Sequence, residues 1–80
     1  MPTKEELFEQ LKQVIIDTTC TGEEITREIN FKDDLGLDSL DKVELLMKCE
    51  TRFQINIEDE EYEGIETVND LLESVYRKLK

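Results

Sequence analysis

Histidine and tryptophan are both missing from this 80-residue chain, and proline occurs once. Without histidine there is no imidazole to act as a general base near neutral pH. A serine or thiol nucleophile would therefore lack its usual activator, which argues against an enzyme. The only cysteines are Cys20 and Cys49. Two thiols without histidine do not make a zinc set, so no metal centre is expected. No secretory pattern precedes them, and Met1-Pro2-Thr3-Lys4 leads straight into a helix signal. That predicts a reducing, cytoplasmic setting with no signal peptide. No apolar run approaches membrane-spanning length. Basic residues are few: 10 Lys and Arg stand against 21 Asp and Glu, a net charge of -11. Phosphate backbones and anionic membranes would be repelled, so neither nucleic acid nor membrane is an expected partner. Basic protein surfaces would be attracted.

Eighty residues make one small domain, 1–80, with no room for a second core. The charge within it is uneven. Residues 33–63 hold eleven acids and three bases, which is -8 of the -11. Asp33, Asp34, Asp38, Asp41, Glu44 and Glu50 fall in its first part, and Glu58-Asp59-Glu60-Glu61 and Glu63 in its second.

The apolar spacing predicts an all-α fold. Thr3 and Glu6 form a capping-box pattern, and Leu7, Leu11, Val14 and Ile15 recur at helical spacing. Helix one is expected over about residues 4–17. Residues 18–38 form a long loop with Gly22 and Gly36 as flexible points. Ile25, Ile29, Phe31, Leu35 and Leu37 are too apolar for a solvated linker, so the loop should pack across the helices. Helix two should start at Ser39 with Asp38 as N-cap and run to about Phe53. Residues 54–58 alternate like a strand but have no convincing partner, so they read as an extended connector. Asp59 to Glu63 predicts one short helical turn stopped at Gly64. Thr67 caps a last helix, about 68–79, with Val68, Leu71, Leu72, Val75, Tyr76 and Leu79 inward. Three main helices and a short one make a small four-helix bundle.

Helix two is unusual in carrying two apolar stripes. At about 100° per residue, Leu45, Leu46, Cys49 and Phe53 share one face, which reads as core. Cys49 then behaves as a small buried hydrophobe, whereas Cys20 sits in a Thr-Cys-Thr loop. Leu40, Val43, Glu44 and Met47 fall opposite, with Asp41 and Glu50 to the sides. A helix buried on both sides would have to bury those acids as well. The favoured reading is a docking face, apolar for affinity and acidic for steering. Ser39 stands at the first turn of this helix. Free N–H groups and the helix dipole there tolerate a bound anion, such as a phosphodiester. Position alone leaves open whether Ser39 does more than begin the helix.

The run Asp33-Asp34-Leu35-Gly36-Leu37-Asp38-Ser39-Leu40-Asp41-Lys42-Val43-Glu44-Leu45-Leu46-Met47 resembles the prosthetic-group region of acyl carrier proteins, of the fatty-acid-synthesis type. The likeness continues through Phe53, Glu58-Asp59-Glu60-Glu61 and Ile65-Glu66-Thr67-Val68. It implies a non-enzymatic, monomeric carrier. A phosphopantetheinyl transferase would join 4'-phosphopantetheine from coenzyme A to the Ser39 oxygen. The arm's thiol would carry acyl groups as thioesters, sheltered among the bundle's apolar side chains. Asp38, Leu40, Asp41, Val43, Glu44, Met47 and Glu50 match positions that meet basic patches on fatty acid synthesis enzymes. Some residues depart from the family's usual pattern. Leu37 replaces a small residue, Thr19-Cys20-Thr21 a more apolar stretch, and Tyr62 an alanine. Gly64 stands where the short helix usually ends in a charge.

Three other readings compete. A calcium loop of the EF-hand kind needs an acid at its first position and glycine at its sixth. Setting Gly36 sixth puts Phe31 first, so the template fails. A helical interaction domain with no prosthetic group would explain the acidic face but not the Asp-Ser-Leu setting. A polyketide, peptidyl or aminoacyl carrier would share the fold and the serine; the acidic second helix favours the fatty-acid type.

Overall fold

Thr3 starts the first helix as its sequence predicts. Its hydroxyl accepts from the Glu6 N–H at 3.2 Å, and the Glu6 carboxylate accepts from the Thr3 N–H at 3.0 Å. That last bond holds the Glu6 carboxyl below its ordinary value. The computed structural model describes residues 3–79. Met1 and Pro2, the lead-in on which the signal-peptide reading rested, lie outside the described residues. Four helices follow one another: α1 (Lys4–Thr19), α2 (Ser39–Phe53), α3 (Asp59–Gly64) and α4 (Val68–Leu79).

The helix ends show where side chains outvoted composition. α1 runs past its expected end near residue 17. Thr19 Oγ1 donates back to the Ile15 carbonyl at 2.8 Å, and Cys20 closes the helix in the left-handed region at φ 54°. α2 ends in the same way, on Gln54 at φ 55°. Gly64 is the last residue of α3 rather than the stop beyond it. At the start of α4, Thr67 Oγ1 accepts from the Asp70 N–H, and Asp70 Oδ2 accepts from the Thr67 N–H, both at 3.1 Å.

α1 packs against both α2 and α4. Leu7, Leu11 and Ile15 of α1 meet Leu45, Leu46 and Cys49 of α2 and Leu71, Leu72 and Val75 of α4 in one cluster. Each buried aliphatic side chain contributes about 1.5–3 kcal/mol, so this cluster supplies most of the fold's stability. Tyr76 and Leu79, expected on the inner stripe, are partly buried against it. Burial, and secondarily the neighbouring Glu50 charge, pushes the Cys49 thiol up to about 12. It is a packing residue, as its spacing suggested.

The long loop is fastened rather than free. Ile25 and Phe31 are buried, and Ile29, Leu35 and Leu37 pack against the cluster. Backbone bonds then tie the loop to the head of α4. Phe31 N–H donates to Glu66 O, Val68 N–H to Ile29 O and Asn69 N–H to Arg27 O, each at 2.9 Å. Asn30 and Thr67 form an isolated antiparallel bridge within this tie. After it the chain folds into a tight turn. Asn30 Oδ1 accepts from the Lys32 and Asp33 N–H groups at 2.9 Å, and Asp34 Oδ2 accepts from the Asn30 N–H at 2.7 Å. Gly36 closes the turn at φ 69°, where any other residue would be strained. Gly22, the other expected flexible point, adopts no such conformation. Residues 54–58 form the expected connector, and Ile57 buries its side chain.

Candidate functional site

The turn delivers the chain to Asp38, and Asp38 fixes where α2 begins. Its Oδ1 accepts from the Asp41 N–H at 2.9 Å, while Asp41 Oδ2 accepts from the Asp38 N–H at 3.4 Å. Both carboxylates flanking Ser39 are thus engaged in a reciprocal cap. Ser39 is the first residue of the helix and is exposed. It belongs to the first turn, at the positive end of the helix dipole.

Ser39 also stands at an open groove of about 980 Å³. The loop contributes Phe31 and Leu37, α2 contributes Val43, and α3 contributes Tyr62. These four make an apolar lining. The polar residues on the same groove include Asp38, Asp59 and Glu63, with Lys32 and Lys42 as the cations among them. An exposed hydroxyl therefore opens directly onto a space able to take an apolar chain. A second cavity, of about 270 Å³, lies wholly within the loop, among residues such as Glu24, Thr26 and Leu35, away from α2.

The outer face of α2 exposes some of the residues expected on it and not others. Leu40 is 78% exposed and Met47 56%, and these are the two large hydrophobics left in solvent among the described residues. Asp41 and Glu44 are exposed beside them. Val43 was expected on this face. It is instead half-buried and lines the groove together with Phe31 and Leu37 of the loop. Glu50 also differs from its expectation. Its carboxylate is turned back into the molecule, where Oε2 accepts from the Ile57 N–H at 3.1 Å and Oε1 from the Tyr62 hydroxyl at 2.9 Å. Burial, together with this bond to a carboxylate, raises the Tyr62 hydroxyl to about 12. Periodicity could not reveal this role, since both donors come from beyond the helix.

Among the described residues no group of three or more His, Cys, Asp and Glu side chains comes together to hold a metal ion. No helix of the described residues is long and apolar enough to cross a membrane.

Comparison with known proteins agrees with this geometry. A family profile described as the phosphopantetheine attachment site matches residues 9–75. That defines the class: a helical carrier domain that takes 4'-phosphopantetheine as its prosthetic group. An acyl carrier protein of Petrotoga mobilis is 46% identical over 78 residues, 96% of this chain and 92% of its own length. One from Clostridium perfringens is 47% identical over 70 residues, 86% of this chain and 92% of its own. The crystal structure of the acyl carrier protein of Thermotoga maritima superimposes with a TM-score of 0.76 at 37% identity, covering 95% of this chain and 89% of that one. A Mycobacterium tuberculosis chain assigned to the same class gives a TM-score of 0.85 at 32% identity, covering 89% and 96%. The chain belongs to the acyl carrier protein family, whose members are carriers and not enzymes.

Proposed function

We propose that this chain carries acyl groups as thioesters on a 4'-phosphopantetheine arm joined to Ser39 Oγ, and presents them to the enzymes of fatty acid synthesis. One observation carries the reading: the exposed Ser39 heads a helix and opens onto an apolar-lined groove. The residues fit the group. Ser39 Oγ would hold the group through a phosphodiester, formed as the bond to the adenosine 3',5'-bisphosphate part of coenzyme A breaks. Asp38 and Asp41 are engaged in the helix cap, so the serine proton would leave to a base of the transferase. The first-turn N–H groups, with Lys42 nearby on the groove, offset the phosphodiester charge. When bound, the arm supplies the terminal thiol that holds the acyl group.

Partner enzymes would meet α2 along Leu40, Met47, Asp38, Asp41 and Glu44. Desolvating Leu40 and Met47 supplies affinity, and the acids steer basic surfaces into register. Glu50 drops out of this face because its oxygens are engaged within the chain. Val43 serves the groove in place of the partner. The carrier works as a cytoplasmic monomer.

Intact-mass measurement after incubation with coenzyme A and a phosphopantetheinyl transferase tests the site. One added phosphopantetheine is expected on the native chain and none on Ser39→Ala. Equal labelling of both would refute the assignment. For the docking face, Glu44→Lys is the clean variant, because Asp41 also caps the helix. It should slow association with a fatty acid synthesis enzyme and flatten its salt dependence. Unchanged association kinetics would move the docking face elsewhere.

A further inference from the structure

The groove beside Ser39 has walls of different kinds. Phe31 belongs to the buried cluster, and Leu37 and Val43 sit on elements tied to the main body. The α3 wall combines such packing with a polar hold, since Tyr62 packs partly buried against the same cluster. None of the six residues of α3 is buried. Asp59, Tyr62 and Glu63 are its lining residues, so Tyr62 is the one apolar surface that α3 brings to the groove. Its ring is not held by packing on all sides, since the residue is only half-buried. A hydrogen bond adds to its partial packing: the Tyr62 hydroxyl donates to Glu50 Oε1 at 2.9 Å. The other oxygen of Glu50 grips the Ile57 N–H at 3.1 Å, on the connector that leads into α3. One carboxylate on α2 therefore fixes both the approach to α3 and the side chain it presents.

We propose that Tyr62 is the residue that limits how long an acyl chain the groove accepts, and that Glu50 is its positioning residue. The proposal rests on the carrier function given above. A straight acyl chain anchored through Ser39 enters between the fixed wall of Phe31, Leu37 and Val43 and the wall made by Tyr62. Methylenes gain burial until the chain meets the ring. Beyond that point further methylenes stay in water or must displace α3 at the cost of the Glu50 bond.

The test loads the phosphopantetheinylated protein with straight-chain acyl groups of increasing length and measures the urea midpoint of each form. Each methylene that is sheltered should raise the folding equilibrium constant by about fourfold, and the rise should stop at a definite length. In Tyr62→Ala the stop should come at a longer chain. Tyr62→Phe keeps the ring without the bond and should move the stop the same way by less. Glu50→Ala, which also leaves the Ile57 N–H without its acceptor, should move the stop at least as far as Tyr62→Phe. Glu50→Gln, whose amide oxygen still accepts from the Tyr62 hydroxyl but whose NH2 cannot accept from the Ile57 N–H, should fall between Glu50→Ala and the native chain. The same stopping length in the native chain and in both Tyr62 variants overturns the proposal. A shift in Tyr62→Ala alone overturns the part given to Glu50. A native chain that accepts no arm overturns the proposal along with the carrier function, and intact mass separates that failure from the others.

Discussion

In α4 the side chains of Val68, Leu71, Leu72, Ser74 and Val75 are buried; in α3, next to it in sequence, none is. α4 is held by area removed from water. α3 buries none of its own residues and is held by the partial packing of Tyr62, by the buried Ile57 and Ile65 on either side of it, and by two polar clips: Tyr62 to Glu50 at 2.9 Å and Lys78 to Glu61 at 3.0 Å. The two mechanisms fail differently. Burial is lost in proportion to volume and is felt by the whole fold. A clip is lost one bond at a time, and its loss is felt locally. On the function proposed above, an acyl chain entering beside Ser39 would meet walls of both kinds.

That contrast can be broken most forcefully from the α4 side. Leu72→Ala should cost about 3 kcal/mol of unfolding free energy in urea denaturation, as fully buried leucines do. A loss below about 1 kcal/mol would mean that α4 is not held by burial. On the α3 side, Glu50→Ala removes the acceptor of two bonds and should cost about 1–2 kcal/mol. Hydrogen exchange should show it as faster opening of the Ile57 amide and of α3, with α4 unaffected. Uniform acceleration across both helices would erase the difference.

The alkaline limb sharpens the same point. Tyr62 has its pKa raised from 10.0 to about 12 in the folded chain, first by burial and then by its bond to Glu50. The native state therefore holds that proton more tightly than the unfolded chain does. This contribution is fully present below pH 10 and is lost as pH rises toward 12. Cys49, raised from 9.0 to about 12, produces a parallel loss that begins lower. Comparing the native chain with Tyr62→Phe isolates the tyrosine, because Cys49 is common to both. Identical stability curves above pH 10 would show that the bond contributes nothing. The smallest effect is expected at the other clip. Lys78→Met should cost less than about 1 kcal/mol, since the pair is partly solvated. The Lys78 bond lowers the Glu61 pKa from 4.5. Its stability is present above that value and lost as pH falls below it, so the variant should show a shallower acid limb.

Much of the fold was legible because helix-forming patterns are local. Thr3 with Glu6 and Asp38 at the head of α2 both announce helix starts within four residues, and the structure uses both caps. The core followed from spacing alone: Leu7, Leu11 and Ile15, then Leu45, Leu46 and Cys49, are all fully buried. What stayed hidden depends on distant pairs. Glu50 reads on a helical wheel as one more outward acid, yet its donors lie on the connector and on α3. Val43 reads as part of the docking stripe, yet it lines the groove that the loop and α3 form beside α2. The Thr18-Thr19 pair looks like the start of a loop, because β-branched residues weaken a helix. The Thr19 hydroxyl bond to Ile15 lets α1 continue. Ser39 was legible as the head of α2; the groove beside it was not.

The bridge between Asn30 and Thr67 has a consequence for evolution and engineering. It divides one long connection into two spans with separate duties. The first, from Cys20 to the bridge, is slack only before Ile25, which is buried; beyond it the Arg27 and Ile29 carbonyls accept from the head of α4. Lengthening the stretch before Ile25 should cost little, because the entropy of loop closure grows only logarithmically. The second, from Phe31 to Asp38, is a ruler. It is measured from α4, hydrogen-bonded at nearly every step, and it ends at the serine. One residue added there would turn the head of α2 relative to its groove. Related chains should therefore vary in length before Ile25 and keep a fixed count after the bridge.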